Sequence, residues 1–275
     1  MAEVFGFDAY SPKEIAERVQ TVGVAKARLP LLSQLTLGVL AGGFIGLGSL
    51  SYTLVTSDPS VGFAAGRLLG GLAFSLGLIL VVVAGAELFT GNNLLVMAWA
   101  DRRITGVELL RNWLIIYLAN FAGALGLACL VYFSGQWQMH DNAIGANAVK
   151  IAAAKVAIPF WEAFFRAILC NILVCLAVWL ALAGRSVTDR ILAVIFPVSA
   201  FVAAGFEHSV ANMYFIPLGI LLQQHFPVLG ATAVSWSGLL ENLVPVTLGN
   251  IAGGGGMVAA VYHLVYHRSC PDQVK

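Results

Sequence analysis

Charge is scarce in this chain. Lys, Arg, Asp and Glu make up 11% of its 275 residues, against about 25% in an ordinary soluble domain. The formal net charge is +1, so no basic tail or stripe is available to meet nucleic acid. Cysteines number four, at Cys129, Cys170, Cys175 and Cys270, and no two stand at a metal-binding spacing. All four read as packing or bystander thiols, and no metal or cofactor is expected. No GxxxxGK run exists to cradle a nucleotide phosphate. Residues 1–29 mix acids and bases without the apolar core of a signal peptide, so no cleaved signal is expected.

What fills the chain instead is hydrophobic, at 59%, the composition of an integral membrane protein. A bilayer span needs about 20 mainly apolar residues. Four segments meet that simply: 31–55, 110–134, 158–183 and 242–266. Residues 68–100 and 191–222 are too long for one ordinary helix, and each has acidic and amide groups at its centre. Topology decides how to read them. With one interrupted span in each, Lys13, Arg18, Lys26, Arg28, Arg102, Arg103, Arg111, Arg185, Arg190, Arg268 and Lys275 fall inside, while Arg67, Lys150 and Lys155 fall outside. That obeys the positive-inside rule with both termini cytoplasmic. The expectation is therefore an all-α polytopic protein of six spans, the second and fifth interrupted.

The interruptions carry a duplicated pattern. Gly85-x-Glu87-x4-Asn92 answers Gly205-x-Glu207-x4-Asn212. Two further pairs flank it in order: Ala25-Lys26-x3-Pro30 with Ala154-Lys155-x3-Pro159, and Asn112-x5-Leu118-x-Asn120 with Asn242-x5-Leu248-x-Asn250. The offsets are 120, 129 and 130 residues, so the chain is an internal duplication, with repeats 25–135 and 154–267. Three spans per repeat invert one half against the other. Transporters built this way hold their solute where the broken helices meet, near the midplane. The channel domain is expected over 30–268, with a short cytoplasmic tail at 269–275.

Polar side chains at such depth are costly and mark function. Breaking a helix leaves unpaired N–H groups with partial positive charge at the start of its second half, which favours an anion. His208 stands at the second break, where it can hydrogen-bond a small oxyanion or exchange a proton with it. A lone buried histidine is more often satisfied by backbone carbonyls; the duplicated break favours the functional reading. Glu87 and Glu207 would repel anions, so they are assigned to bracing the broken backbone, together with Asn92 and Asn212. Thr90 and Asn171 suit either a loop or a solute. Lys26 and Lys155, as repeat partners, are expected near opposite mouths, drawing anions in. Glu162 and Arg166 lie one helical turn apart and can neutralise one another. Ser11-Pro12-Lys13-Glu14 is a capping box with Pro at the first helical position; Ile15, Val19 and Val22 follow on one face. A short amphipathic helix within 1–29 should lie on the cytoplasmic surface.

These residues closely resemble the formate/nitrite transporter family over roughly 10–268. The runs that carry the likeness are Gly85-Ala86-Glu87-Leu88-Phe89-Thr90, Asn171 with Leu173-Val174-Cys175-Leu176-Ala177, and Phe206-Glu207-His208-Ser209 through Asn212. The resemblance implies an aquaporin-like protomer in a homopentamer, each subunit with its own pore, in a bacterial-type inner membrane. It implies a cytoplasmic constriction at Phe74, Leu78, Leu88, Phe89 and Thr90, and an outer one at Phe201. Between them His208, Thr90 and Asn171 would line a chamber, with Glu207 and Lys155 beside it and Lys26 as the inner counterpart. Formate is the leading solute, with nitrite, hydrosulfide, acetate and lactate as other small monovalent anions. Glu87 stands where formate channels are associated with aspartate. A neutral-solute channel of the aquaporin class is a rival, but no Asn-Pro-Ala occurs. An intramembrane enzyme is another, and it lacks a paired nucleophile.

Overall fold

The computed structural model describes residues 9–226 and 234–267. Apart from one β-bridge between Ala9 and Gly184, the regular structure among them is helical. In chain order the α-helices are α1 Pro12–Ala27, α2 Leu31–Val55, α3 Phe63–Ile79, α4 Val96–Ala100, α5 Gly106–Ser134, α6 Ala143–Val156, α7 Phe160–Ala183, α8 Val187–Ala204, α9 Ser209–Leu222, α10 Trp236–Ile251 and α11 Val261–His267. Among the described residues, six stretches are long and apolar enough to cross a membrane: Leu31–Val55, Phe63–Gly85, Gly106–Ser134, Phe160–Ala183, Val187–Ala204 and Trp236–Tyr266. Four spans start earlier than the apolar runs imply, at Phe63, Gly106, Val187 and Trp236, and two of them show why. Thr105 with Glu108 and Ser186 with Asp189 form capping boxes, and a polar first turn is invisible to an apolar-run count.

Both long stretches break by the same device. After α3 the helix widens through Leu80–Gly85 and stops; α8 stops at Gly205. Ala86 N–H bonds Val81 O and Phe206 N–H bonds Phe201 O, each at 3.0 Å, the six-to-one closure of a Schellman cap. The cap needs a left-handed residue, and Gly85 and Gly205 supply φ of 85° and 76°. The chain restarts as a 3-10 turn at Gly91–Leu95 leading into α4, and as α9 in the second half.

Packing repeats as well. The pairs α2 with α5 and α7 with α10 are equivalent contacts, while α3 crosses α8 and α5 crosses α9 to join the halves. A side chain on Gly123 would strike Val39 O, and one on Gly253 would strike its counterpart Ile168 O; glycine lets these backbones touch.

The N-terminal helix forms with the expected cap. Glu14 Oε2 accepts from Ser11 N–H at 2.7 Å and from its hydroxyl at 2.8 Å, and these bonds hold the Glu14 carboxyl below the ordinary glutamate range. Ile15 and Val19 are buried, whereas Val22 is open to a cavity. The helix is not a free surface element, since it packs on the 3-10 turn, α4, α7 and α11. Its duplicate is not evident from hydropathy. By the 129-residue offset, α6 is the second copy of α1, and Lys26 and Lys155 each sit in the last turn. Because α11 packs against α1, both ends of the described chain lie on one face. Cys129, Cys170 and Cys175 are free thiols; Cys270, Arg268 and Lys275 lie outside the described residues.

Candidate functional site

Each break is held by a closed ring of buried polar groups. In the first half, Lys26 Nζ lies 2.9 Å from Glu87 Oε1 and 3.0 Å from Asn92 Oδ1. Asn92 Nδ2 donates to Glu87 Oε2 at 2.8 Å and to Asn112 Oδ1 at 3.0 Å. Asn112 Nδ2 closes the ring on the Lys26 carbonyl at 3.2 Å. Asn120 then pins the broken backbone, accepting from Phe89 N–H at 2.9 Å and donating to Gly38 O and Glu87 O at 2.8 and 2.9 Å.

The second half repeats this but for one bond: Lys155 Nζ reaches both oxygens of Glu207, at 2.9 and 3.1 Å, where Lys26 Nζ divides itself between Glu87 and Asn92. Asn212 Nδ2 donates to Glu207 Oε2 and Asn242 Oδ1, both at 2.7 Å, and Asn242 Nδ2 returns to the Lys155 carbonyl at 2.9 Å. Asn250 accepts from Ser209 N–H at 3.0 Å and donates to Ala167 O and Glu207 O at 2.9 and 3.0 Å. Side chains of Glu87 and Glu207 are only 7% and 5% exposed. Removing one partner of such a pair strands a charge, at a cost of about 3–5 kcal/mol. The lysines are thus paired to carboxylates rather than free cations at the mouths. Asn112, Asn120, Asn242 and Asn250 were legible only as repeat markers. An amide inside an apolar run is itself a signal of such bracing.

The helix starts differ from expectation too. At α9, Ser209 N–H is taken by Asn250, and Ala211 N–H donates to His208 Nδ1 at 3.1 Å. Most of the first-turn donors are therefore spent on the protein. His208 is the N-cap of α9, and its Nε2 lies 2.9 Å from Thr90 Oγ1, joining the two breaks. Its ring stacks on Phe201 at 6.0 Å, and Phe201 meets Phe74 edge-on at 5.8 Å.

Two cavities flank this contact. One, about 250 Å³, is lined by Tyr52, Arg67, Phe74, Lys155, Arg166, Phe201, Glu207, His208 and Phe215 among others. The other, about 430 Å³, is lined by Lys26, Leu37, Leu78, Val81, Glu87, Leu88, Asn92 and Leu95 among others. They are copies. Lys155, Arg166, Phe201, Gly205, Glu207, His208 and Phe215 line the first; their repeat partners Lys26, Leu37, Val81, Gly85, Glu87, Leu88 and Leu95 line the second.

Several sequence-derived positions move. Phe74 belongs with Phe201 in the Lys155 cavity, not with Leu78 and Leu88. Phe89 lines neither cavity, because its ring packs on Tyr117 and Trp113 at 4.9 and 6.2 Å. Asn171 is fully buried and lines neither cavity; its Nδ2 lies within 3.2 Å of Thr90 O, Asn93 Oδ1 and Asn250 O. Thr90, also expected to line a chamber, is fully buried and lines neither cavity; its hydroxyl meets His208, which lines the Lys155 cavity. The expected Glu162 and Arg166 pair forms at 2.8 Å. Arg67 and Tyr52 were not singled out from sequence, and they join the Lys155 cavity from α3 and α2.

The sequence pattern of formate/nitrite transporters matches residues 13–264. A formate channel, FocA, of Escherichia coli strain K12 is 40% identical over 274 residues, covering 95% of this chain and 96% of that protein. FocA of Haemophilus influenzae is 41% identical over 261 residues, covering 90% and 91%. A solved pentameric formate channel with formate bound is 39% identical, superposes with a TM-score of 0.79, and covers 86% of this chain and 98% of its own.

Proposed function

This chain belongs to the formate/nitrite transporter family, and from that premise we propose that it conducts small monovalent anions, formate first, through the inner membrane. It is a multi-pass channel protein, and it assembles as a homopentamer with a path through each subunit, a reading supported by the pentameric formate channel it resembles. A neutral-solute channel is not favoured by these relatives. The observation that carries the path is the pair of repeat-related cavities separated by the contact of Thr90 with His208. Both termini are cytoplasmic and the halves are inverted in this reading, which the positive-inside bias and three spans per half support.

An anion leaving the Lys155 cavity sheds water against Phe74 and Phe201, then meets Leu88 and Leu78 beyond the Thr90 contact. Dehydration is expensive, so polar donors must replace water midway. His208 Nδ1 accepts from Ala211 N–H, which puts the proton of a neutral ring on Nε2, facing Thr90 Oγ1. An anion displacing that contact receives the Nε2 proton as a hydrogen-bond donor, and a weak acid can exchange a proton there. The solute undergoes no covalent conversion. Proteoliposomes loaded with labelled formate, nitrite or hydrosulfide test this directly: saturable formate flux is expected, and its absence from correctly assembled protein would refute the reading.

A further inference from the structure

The two cavities are copies in backbone but not in charge. In the Lys26 cavity the lysine is matched by Glu87, and the position equivalent to Arg166 is Leu37. In the Lys155 cavity, Lys155 is matched by Glu207, and Arg166 is matched at the rim by Glu162. Arg67 has no counterpart in the other cavity: it comes from α3, and the residue one repeat offset away is Val187, which lines neither cavity. Its guanidinium donates to Ala203 O at 2.9 Å, Val202 O at 3.0 Å and Tyr52 Oη at 3.0 Å. None of these partners is a carboxylate, so the full positive charge is offset only in part, by the partial charges of the carbonyls it meets. It also covers the carbonyl end of α8, whose partial negative charge would otherwise face the cavity.

Resting on the channel reading above, we propose that Arg67 is a selectivity-determining residue that makes the Lys155 cavity an anion-concentrating antechamber, and hence makes conduction asymmetric. A cleft with one excess charge and apolar walls raises the local concentration of the opposite ion. The Lys26 cavity, with its only lining cation paired, does not. Anions therefore load from the Lys155 side at lower concentration than from the Lys26 side.

Planar-bilayer currents carried by formate, with insertion orientation fixed by labelling Ser60→Cys on the Lys155 side, test this. In wild type at low ionic strength, half-saturating formate should be on the order of threefold to tenfold lower from the Lys155 side. Arg67→Gln keeps amide donors for the α8 carbonyls and should bring the two sides within twofold. Arg111→Gln, on α5 and lining neither cavity, should leave the asymmetry intact. In about 1 M salt, where the Debye length shrinks to roughly 3 Å, wild-type asymmetry should collapse without any mutation. Asymmetry that persists in Arg67→Gln, or in wild type at high salt should the variant not assemble, overturns the proposal. Equal half-saturation from both sides of wild type overturns it as well. No formate current from either side would refute the channel reading itself, and this inference with it.

Discussion

His208 does two jobs with two nitrogens, and substitutions can separate them. Nδ1 caps α9 through Ala211 N–H, while Nε2 reaches Thr90 across the breaks. Asparagine is a strong N-cap, so His208→Asn should keep α9 and assembly intact; His208→Ala should lose about 1 kcal/mol of capping. Asparagine has no group that gains or loses charge near neutral pH, so His208→Asn should lose pH-dependent uptake of a weak acid at low external pH while retaining efflux down a gradient. Flux in both directions across a pH series, with pentamer content checked, reads the outcome; an unchanged profile would make His208 a purely structural cap. Phe201 gives a second residue-scale expectation. It is wedged between Phe74 and His208, and removing a buried phenyl costs about 3 kcal/mol and leaves a gap. Phe201→Ala should therefore admit acetate several-fold faster relative to formate, and unchanged selectivity would reduce the ring to packing. That Phe74 shares this gate was not legible in the sequence. Phe74 and Leu78 are one turn apart on one face of a helix, yet that turn is about 6 Å along the axis, enough to put them in different cavities.

At the scale of elements, the two breaks depend on the same left-handed glycine but in different surroundings. A Cβ on Gly85 meets nothing within 4 Å, whereas one on Gly205 would lie 2.8 Å from Arg67 Nη2. Both alanine variants should lose roughly 1–2 kcal/mol from the strained φ. Gly205→Ala should lose more, because the guanidinium must also move off the α8 carbonyls. Thermal denaturation of the detergent-solubilised assembly would rank the pair, and equal shifts would refute the Arg67 contact as the cause of the difference. The breaks themselves were readable, since Gly-x-Glu-x4-Asn in hydrocarbon has little other use and occurs twice. The helix α6 was not. At 14 residues, with Lys150 and Lys155 in it, it is too short and too polar to register as a span. The 129-residue offset from α1 identifies it, because the stripe it buries, Ile144, Gly145, Ala148, Val149, Ala152 and Ala153, is made mostly of glycine and alanine and stands out little from its surroundings.

For the whole molecule, the decisive quantity is which loops share a side of the membrane. In the inverted arrangement proposed above, three spans per half would put the turn after α2 and the turn after α5 on the Lys155 face, and the start of α5, the turn after α7 and both described ends on the Lys26 face. The charges agree, because Lys13, Arg18, Arg28, Arg102, Arg103 and Arg185 all belong to the Lys26 face, as the positive-inside rule requires of the cytoplasm. Single cysteines at exposed positions can read this. With Cys129 and Cys270 replaced, and Cys170 and Cys175 left in place because they are buried, an impermeant thiol reagent reaches only what each side presents. Ser60→Cys and Met139→Cys should label from the outside of intact cells; Val107→Cys and Thr188→Cys should label only after the membrane is opened. Labelling of Ser60→Cys together with Thr188→Cys from one side would break the inverted relation of the halves. The duplicated lysine, glutamate and asparagine rings would then have to be explained without a two-fold axis in the membrane plane, and the two cavities could not be opposite ends of one path.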